Sequence, residues 1–425
     1  MKSIGITFGK STPHEAEALI ADASVGLFDF IMASKTLCQV SDLQIESSIT
    51  REDAKKILAG SKKPKKQNVI ATLEIIGEIN GDVQRRNHPI IPGTILKKAT
   101  AKAISKFLRL ESEEPVVKLG HILRNNKIKV GLDGRIFNHH IAILGKTGGG
   151  KSNAAKIILS QMHKFDCKNV VIDPHAEYKI GRIINADEIV YSKKNLDLEV
   201  ILDRVRSELP IYKKKDLDDI IGSAIVYDLQ FIEKQAATDK IIYKLLKKSV
   251  KLEQNIKFLI TEIKNLSTSE PLVVNLKGLD TDMQIDVVRC ISEAVLHFCK
   301  EGDAYNLFID EAHRYAPQFG KISSLKPLIE IAGEGRKFNC GLVIMSQRPA
   351  KVNKNVLSQC NTHFCLKLTN QNDIRQVKES TEYSTKQMFL EVQRLRIGEA
   401  LLTSPHIERP VFIMVDEYGK KKRTS

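Results

Sequence analysis

The octapeptide GKTGGGKS at 145–152 constrains this chain more than any other stretch. Gly145, Gly150, Lys151 and Ser152 satisfy the pattern G-x-x-x-x-G-K-[ST]. HIAIL before it is an uninterrupted apolar run of the kind a buried parallel strand shows, and NAAKIILSQMHKF after it has helical periodicity. The chain must turn from strand to helix within a few residues. Glycines permit that turn and let successive backbone N–H groups point inward around a phosphate, while the N-terminus of the next helix adds a favourable field. Gly145, Lys146, Thr147, Gly148, Gly149, Gly150, Lys151, Ser152 and Asn153 are the expected nucleotide-binding set. Lys151 reaches the β- and γ-oxygens and Ser152 ligates Mg²⁺, so ATP and Mg²⁺ are the expected cofactors.

Strand and helix alternate further along. NVVIDPHAEY (169–178) is an apolar strand ending in a polar turn, EIVY (188–191) reads as another short strand, and PLVVNL (271–276) as a third. Residues 193–270 form charged amphipathic helices too long for a crossover, which marks a helical insertion. A helix follows over about 281–300, then the strand NLFIDEA (306–312). A run of apolar residues ending in Asp-Glu downstream of a phosphate loop sets Asp310 beside Lys151, where it holds the Mg²⁺ water shell. Glu311 is then placed to polarise the attacking water as general base. CGLVIMSQ (340–347) is another buried strand, ending in Gln347, which can bond the γ-phosphate or the water, and THFCLKL (362–368) is its expected neighbour. EALLTS and RPVFIMV close the sheet, giving a RecA-like α/β P-loop ATPase core.

Residues 1–140 have a different texture, with short β-rich runs such as NVIATLEIIGEI (68–79) broken by Pro and Gly. The chain of 425 residues carries 66 Lys and Arg against 51 Asp and Glu, a net charge of +15, which makes a polyanion, first of all nucleic acid, the expected partner. A merely solvated basic surface is the other reading. Part of the excess is local, in Lys62, Lys63, Lys65 and Lys66 around Pro64 and in Arg85-Arg86. No apolar run reaches the roughly 18 residues of a membrane span and MKSIGITFGK has no apolar signal core, so no membrane partner is expected and the chain reads as cytoplasmic. The seven cysteines show no CxxC spacing and read as buried free thiols.

The set GKTGGGKS, VVIDPHAEY, LFIDEAHRYAP, GEGRKFNCGLVIMSQRP and NTHFCLKLTNQNDIRQV resembles the HerA branch of the HerA/FtsK ATPases from about residue 115 onward. The resemblance implies a homo-hexameric double-stranded-DNA translocase or helicase, with an N-terminal HAS-barrel that docks a NurA-type nuclease in DNA-end resection. The corresponding division is a β-rich barrel domain at 1–110 and an ATPase domain at 111–425 containing the insertion at 193–270. Ala176 departs from the family, which commonly has Gly there, with no consequence for the chemistry. The letters Asp310-Glu311-Ala312-His313 also spell the DEAH box of a helicase superfamily with two lobes per chain. Here there is one lobe, so the match is coincidental and a neighbouring subunit must complete the site.

Arg336, about ten residues before Gln347, lies at the opposite end of the sheet from the nucleotide and can face an adjacent subunit; in the resembled superfamily an arginine just upstream of this strand is the trans finger. A surface salt bridge or a DNA contact is the plainer reading, and Arg394 and Arg396 are rival fingers. Candidate DNA-facing loops are Arg314 to Lys326 and the segment with Lys351 and Lys354. Two other functions stay open: a type IV secretion or conjugation-type ATPase moving protein or single-stranded DNA, and a non-hydrolysing DNA-binding or nuclease-anchoring module.

Overall fold

The computed structural model describes residues 3–46, 51–61, 68–80, 82–110, 116–134, 140–190, 198–222, 229–249, 256–381 and 385–419. The chain packs as two units, Met1–Ile136 with Gly145–Gly150 and Asn361–Ser425 in one, and Phe137–Leu144 with Lys151–Cys360 in the other. The lysine tract around Pro64 lies outside the described residues.

In the first unit, alternation builds a closed barrel. Along Glu15–Ile20 every second residue (Ala16, Ala18, Ile20) turns inward, where Ile31, Cys38, Val40, Leu73 and Leu96 complete the interior. The strands run in the order Glu15–Ile20, Gly5–Ser11, Ile95–Lys98, Phe30–Ala33, Thr36–Glu46 and Asn68–Asn80, and the last pairs back with the first, so six strands close with no free edge between them. Register shifts at Leu37/Cys38 and Val40/Asp42 supply the bends that so small a barrel needs. Arg86 serves this barrel: it bonds Glu78, Thr36 and the carbonyls of His88 and Pro89. The unit also holds antiparallel strands in the order Thr362–Cys365, Glu399–Thr403, Val411–Val415, Val116–Ile122 and Asn125–Asp133. Arg409 bonds Glu74 and the Ile75 carbonyl, tying the approach to Val411–Val415 onto the barrel.

The second unit contains six strands, all paired in parallel, in the order Arg182–Asn185, Leu272–Asn275, Lys168–Asp173, Tyr305–Ile309, Cys340–Ser346 and Ile141–Leu144. The central ones are buried along their whole length, as continuous Val, Ile and Leu runs require when helices cover both faces. The longest helix, Thr281–Lys300, starts where the Asp280 carboxylate accepts from the amides of Asp282 and Met283. Among the described residues, five helices between Leu198 and Lys264 supply the helical character expected of the 193–270 segment. Their buried face, with Val205, Leu217, Ile232, Ile242 and Leu246, forms a core of its own.

Two assignments change. Of the expected strand at 188–191, residues 188–190 belong to a short helix, Ala186–Val190, while Tyr191 lies outside the described residues; the edge strand is the half-exposed Arg182–Asn185, which pairs with Leu272–Asn275. Its mixed composition hid it, because an edge strand lacks the apolar continuity of a central one. Thr362–Cys365 is not the partner of Cys340–Ser346, whose neighbours are Tyr305–Ile309 and Ile141–Leu144; it pairs antiparallel with Glu399–Thr403.

Ala176 has a backbone consequence after all. It sits at φ 59°, in a turn whose amides at His175 and Tyr178 donate to the Asp173 carboxylate at 3.1 and 2.9 Å. A left-handed residue bearing a Cβ costs about 1 kcal/mol against glycine. Ala176→Gly should therefore raise the urea midpoint by the equivalent of about 0.5–1 kcal/mol with an unchanged slope. A lowered midpoint would mean that the extra entropy of unfolded glycine outweighs the relief.

Candidate active site

The loop between strand Ile141–Leu144 and helix Lys151–Leu159 turns as its glycines allow. Gly148 and Gly150 lie at φ 71° and 106°, and a Cβ on Gly150 would fall 3.2 Å from Leu366 Cδ2 and 3.4 Å from the Gly398 nitrogen. The loop is braced from one side: the Lys146 amide donates to the Lys367 carbonyl at 2.9 Å, the Gly398 amide to the Gly149 carbonyl at 3.4 Å. Lys151, Ser152 and Asn153 form the first turn of the helix.

In the second unit the strand Tyr305–Ile309 delivers Asp310 and Glu311. Asp310 is 5% exposed and its Oδ1 accepts from the Glu311 amide at 2.8 Å. Burial pushes its carboxyl up to about 7; the Glu311 and Glu177 carboxylates add to this, and the Glu311 amide and Lys151 act against it. Glu311 adopts φ 49°, a sharp turn that carries its carboxylate out of the strand line. Its Oε2 comes within 3.2 Å of His313 Nδ1 yet has no hydrogen-bonding geometry to it. Burial, with the cations of Arg348, Lys351, Arg314 and Lys151, holds His313 down to about 4, so it faces Glu311 as a neutral imidazole beside Ser346 Oγ at 3.2 Å.

One carboxylate of this cluster escaped the sequence reading. Ser152 Oγ donates to Glu177 Oε2 at 2.9 Å, although 25 residues separate them. The signal was present in the polar turn DPHAEY at the end of an apolar strand, which can only point to the same sheet edge as Asp310. Gln347 directly follows Cys340–Ser346, whose Ser346 is in register with Leu144, and so stands at that edge too. Arg336 lies in the short turn Gly335–Phe338 before the same strand, at the other end. Arg394 is paired with Glu391 at 3.1 Å, and Arg396 precedes by two residues the Gly398 that braces the phosphate loop. Ser152 and Asp310 offer hard oxygen donors of the kind Mg²⁺ takes, and among the described residues no cluster of three or more His, Cys, Asp or Glu could hold a metal by itself.

The two candidate DNA-facing loops are one ridge. Pro317 bridges Val352, the Gln318 amide donates to the Lys351 carbonyl, and the Asn353 amide donates to the Ala316 carbonyl, both at 2.8 Å. Lys321, Lys351 and Lys354 are exposed on it, as is Phe319 at 86%. All seven cysteines are free, and six are buried. No helix among the described residues is long and apolar enough to cross a membrane.

Residues 117–270 match the family model "Helicase HerA, central domain". A probable helicase of Methanocaldococcus jannaschii is 25% identical, over 82% of this chain and 77% of that protein. The DNA double-strand break repair helicase HerA of Pyrococcus furiosus is 26% identical, over 82% of this chain and 78% of that protein. Among solved structures, VirB4 of Thermoanaerobacter pseudethanolicus aligns with a TM-score of 0.45 at 16% identity, covering 72% of this chain and 98% of its own.

The raised Asp310 pKa sets a pH dependence in metal-free protein. Between about 4 and about 7 the unfolded chain has released this proton while the folded chain retains it, so folding loses stability as pH rises through that window. Asp310→Asn removes the loss. In EDTA it should match wild type near pH 4 and exceed it increasingly up to pH 7, by at most about 4 kcal/mol, then hold a constant margin. Thermal unfolding across that range checks it, and a margin independent of pH would show that the carboxyl is not strained by burial.

Proposed function

We propose that this chain, which belongs to the HerA family, is an ATP-driven motor that translocates on double-stranded DNA as a homo-hexamer and works with a NurA-type nuclease, docked on the barrel of residues 1–110, in DNA-end resection. The observation that carries the ATPase reading is the arrangement at one sheet edge: Lys151 and Ser152 opening a helix after a glycine loop, with buried Asp310 and Glu311 closing the strand Tyr305–Ile309, one strand removed from Ile141–Leu144. In this reading residues 145–153 hold the nucleotide phosphates, with Lys151 on the β- and γ-oxygens. Bound Mg²⁺ would supply neutralisation of charge developing on the transferred phosphoryl group, held by Ser152 and, through water, by Asp310. Glu311 takes the proton of the attacking water and Gln347 orients it. The neutral His313 leaves the Glu311 carboxylate without a competing cationic partner on that side.

Arg336 is exposed in the turn at the other end of the strand that leads to Gln347, which suits an arginine acting on the nucleotide of a neighbouring subunit. Arg394 is paired with Glu391 and Arg396 lies two residues before the Gly398 that contacts the glycine loop of its own chain, which leaves Arg336 the stronger trans candidate in this reading. The ridge of 314–326 and 348–355, with its exposed lysines, suits contact with a phosphate backbone, and the repair role named for the Pyrococcus furiosus relative favours DNA as that polyanion.

ATP hydrolysis should rise on adding linear duplex DNA. Lys151→Ala should lose ATP binding and turnover, whereas Glu311→Gln should bind ATP and hydrolyse it at least about 100-fold more slowly. Stimulation by single-stranded DNA alone would favour the conjugation-type motor, and equal loss of ATP binding in both variants would remove the general-base role from Glu311.

DNA affinity should fall with salt by about 0.9 logarithmic units per phosphate contacted, without sequence preference. Lys351→Ala and Lys354→Ala should each flatten that slope by about 1. A slope unchanged in both variants would take the ridge off the DNA path.

A further inference from the structure

We infer that Glu177 is a positioning residue for Ser152, accepting the hydroxyl hydrogen so that the oxygen's lone pairs are presented to the divalent cation that accompanies the nucleotide. The inference rests on the nucleotide site proposed above. A serine hydroxyl has one hydrogen and two lone pairs. An oxygen that ligates a cation must give its hydrogen to some acceptor, or the hydrogen competes for the space of the metal. Ser152 Oγ gives it to Glu177 Oε2 at 2.9 Å. Of the nearby carboxylates, Asp310 has its Oδ1 occupied by the Glu311 amide at 2.8 Å, and Asp173 accepts from the His175 and Tyr178 amides.

The surrounding turn fixes the Glu177 backbone from both sides. Asp173 accepts from the amide of His175 before it and of Tyr178 after it. Tyr178 is 2% exposed, its hydroxyl donates to Met345 Sδ at 2.9 Å and lies beside Ser152, and Lys156 Nζ sits 5.4 Å from its ring centre. The turn is thus fastened to the strand Cys340–Ser346 and to the helix that carries Ser152. The Ser152–Glu177 bond is solvent-accessible, where a hydrogen bond adds little to folding. Its placement therefore serves the hydroxyl rather than the core, and Glu177→Ala should fold.

The experiment is a Mg²⁺ titration of the binding of a fluorescent ATP analogue to the full chain, for wild type, Glu177→Ala, Glu177→Gln, Ser152→Ala and the double variant Glu177→Ala/Ser152→Ala. Loss of a partner that orients a metal ligand typically costs 10–100-fold in metal affinity. Glu177→Ala should raise the half-saturating Mg²⁺ concentration at least about tenfold, while analogue binding in EDTA stays at the wild-type level. Glu177→Gln keeps an acceptor oxygen and should stay close to wild type. Because Glu177 acts through Ser152, the double variant should be no worse than Ser152→Ala. Additive losses in the double variant, or a Gln variant as impaired as the Ala variant, overturn the inference while leaving the nucleotide site standing. A wild-type protein whose analogue binding ignores Mg²⁺ overturns this inference and leaves the nucleotide site standing, whereas one that binds no analogue with or without Mg²⁺ removes the nucleotide reading and this inference with it.

Discussion

The burial of Asp310 at the end of an apolar strand is the constraint on which the rest of this site depends. A carboxylate with 5% exposure cannot stay ionised at little cost unless cations or donors face it, and here the Glu311 amide and Lys151 do so only in part, leaving its pKa near 7. The site is therefore built with unspent negative potential. In the proposed nucleotide site a divalent cation would relieve a strain that the fold already carries. Glu177 and Glu311 deepen the same potential, since both push the Asp310 carboxyl up.

How much of this could be seen in the sequence follows from the range of each signal. The glycine loop between strand and helix, and the strand that stops at Asp310-Glu311, were legible as structure because each is local: a fixed spacing of glycines, or an apolar run that stops at acids. The parallel strands were legible for the same reason, being buried on both faces and so continuously apolar. Glu177 was only half legible: the turn DPHAEY marks the sheet edge it reaches, but its contact to Ser152 is long-range and no local pattern records it. The edge strand Arg182–Asn185 was missed for want of apolar continuity, and the apolar letters of EIVY were spent on a helix.

The barrel shows the complementary case. Alternation in NVIATLEIIGEI marked a strand, and residues 68–80 form one, but closure is a long-range fact: Asn68–Asn80 pairs back to Glu15–Ile20. What the alternation could not reveal is where the register slips, and the two shifts in Thr36–Glu46 are what let six strands meet. Arg85-Arg86 was equally opaque. It reads as a basic cluster, yet Arg86 is held among Glu78, Thr36 and two carbonyls, so half of that dipeptide is part of the scaffold. A run of charges in sequence counts ionisable groups; only the fold says which of them still face solvent.

The two strands that end in the catalytic candidates also lead into the ridge. Tyr305–Ile309 passes through Asp310 and Glu311 into residues 314–326, and Cys340–Ser346 passes through Gln347 into residues 348–355. These continuations are bridged at Pro317 and Val352 and hydrogen-bonded at Gln318 and Asn353, so neither can shift alone. Ser346 adds a second tie, since its hydroxyl lies 3.2 Å from His313 and accepts from the Arg348 amide at 3.0 Å. In the proposed motor, a displacement of Glu311 or Gln347 by a γ-phosphate would therefore act on two loops that are bonded to each other.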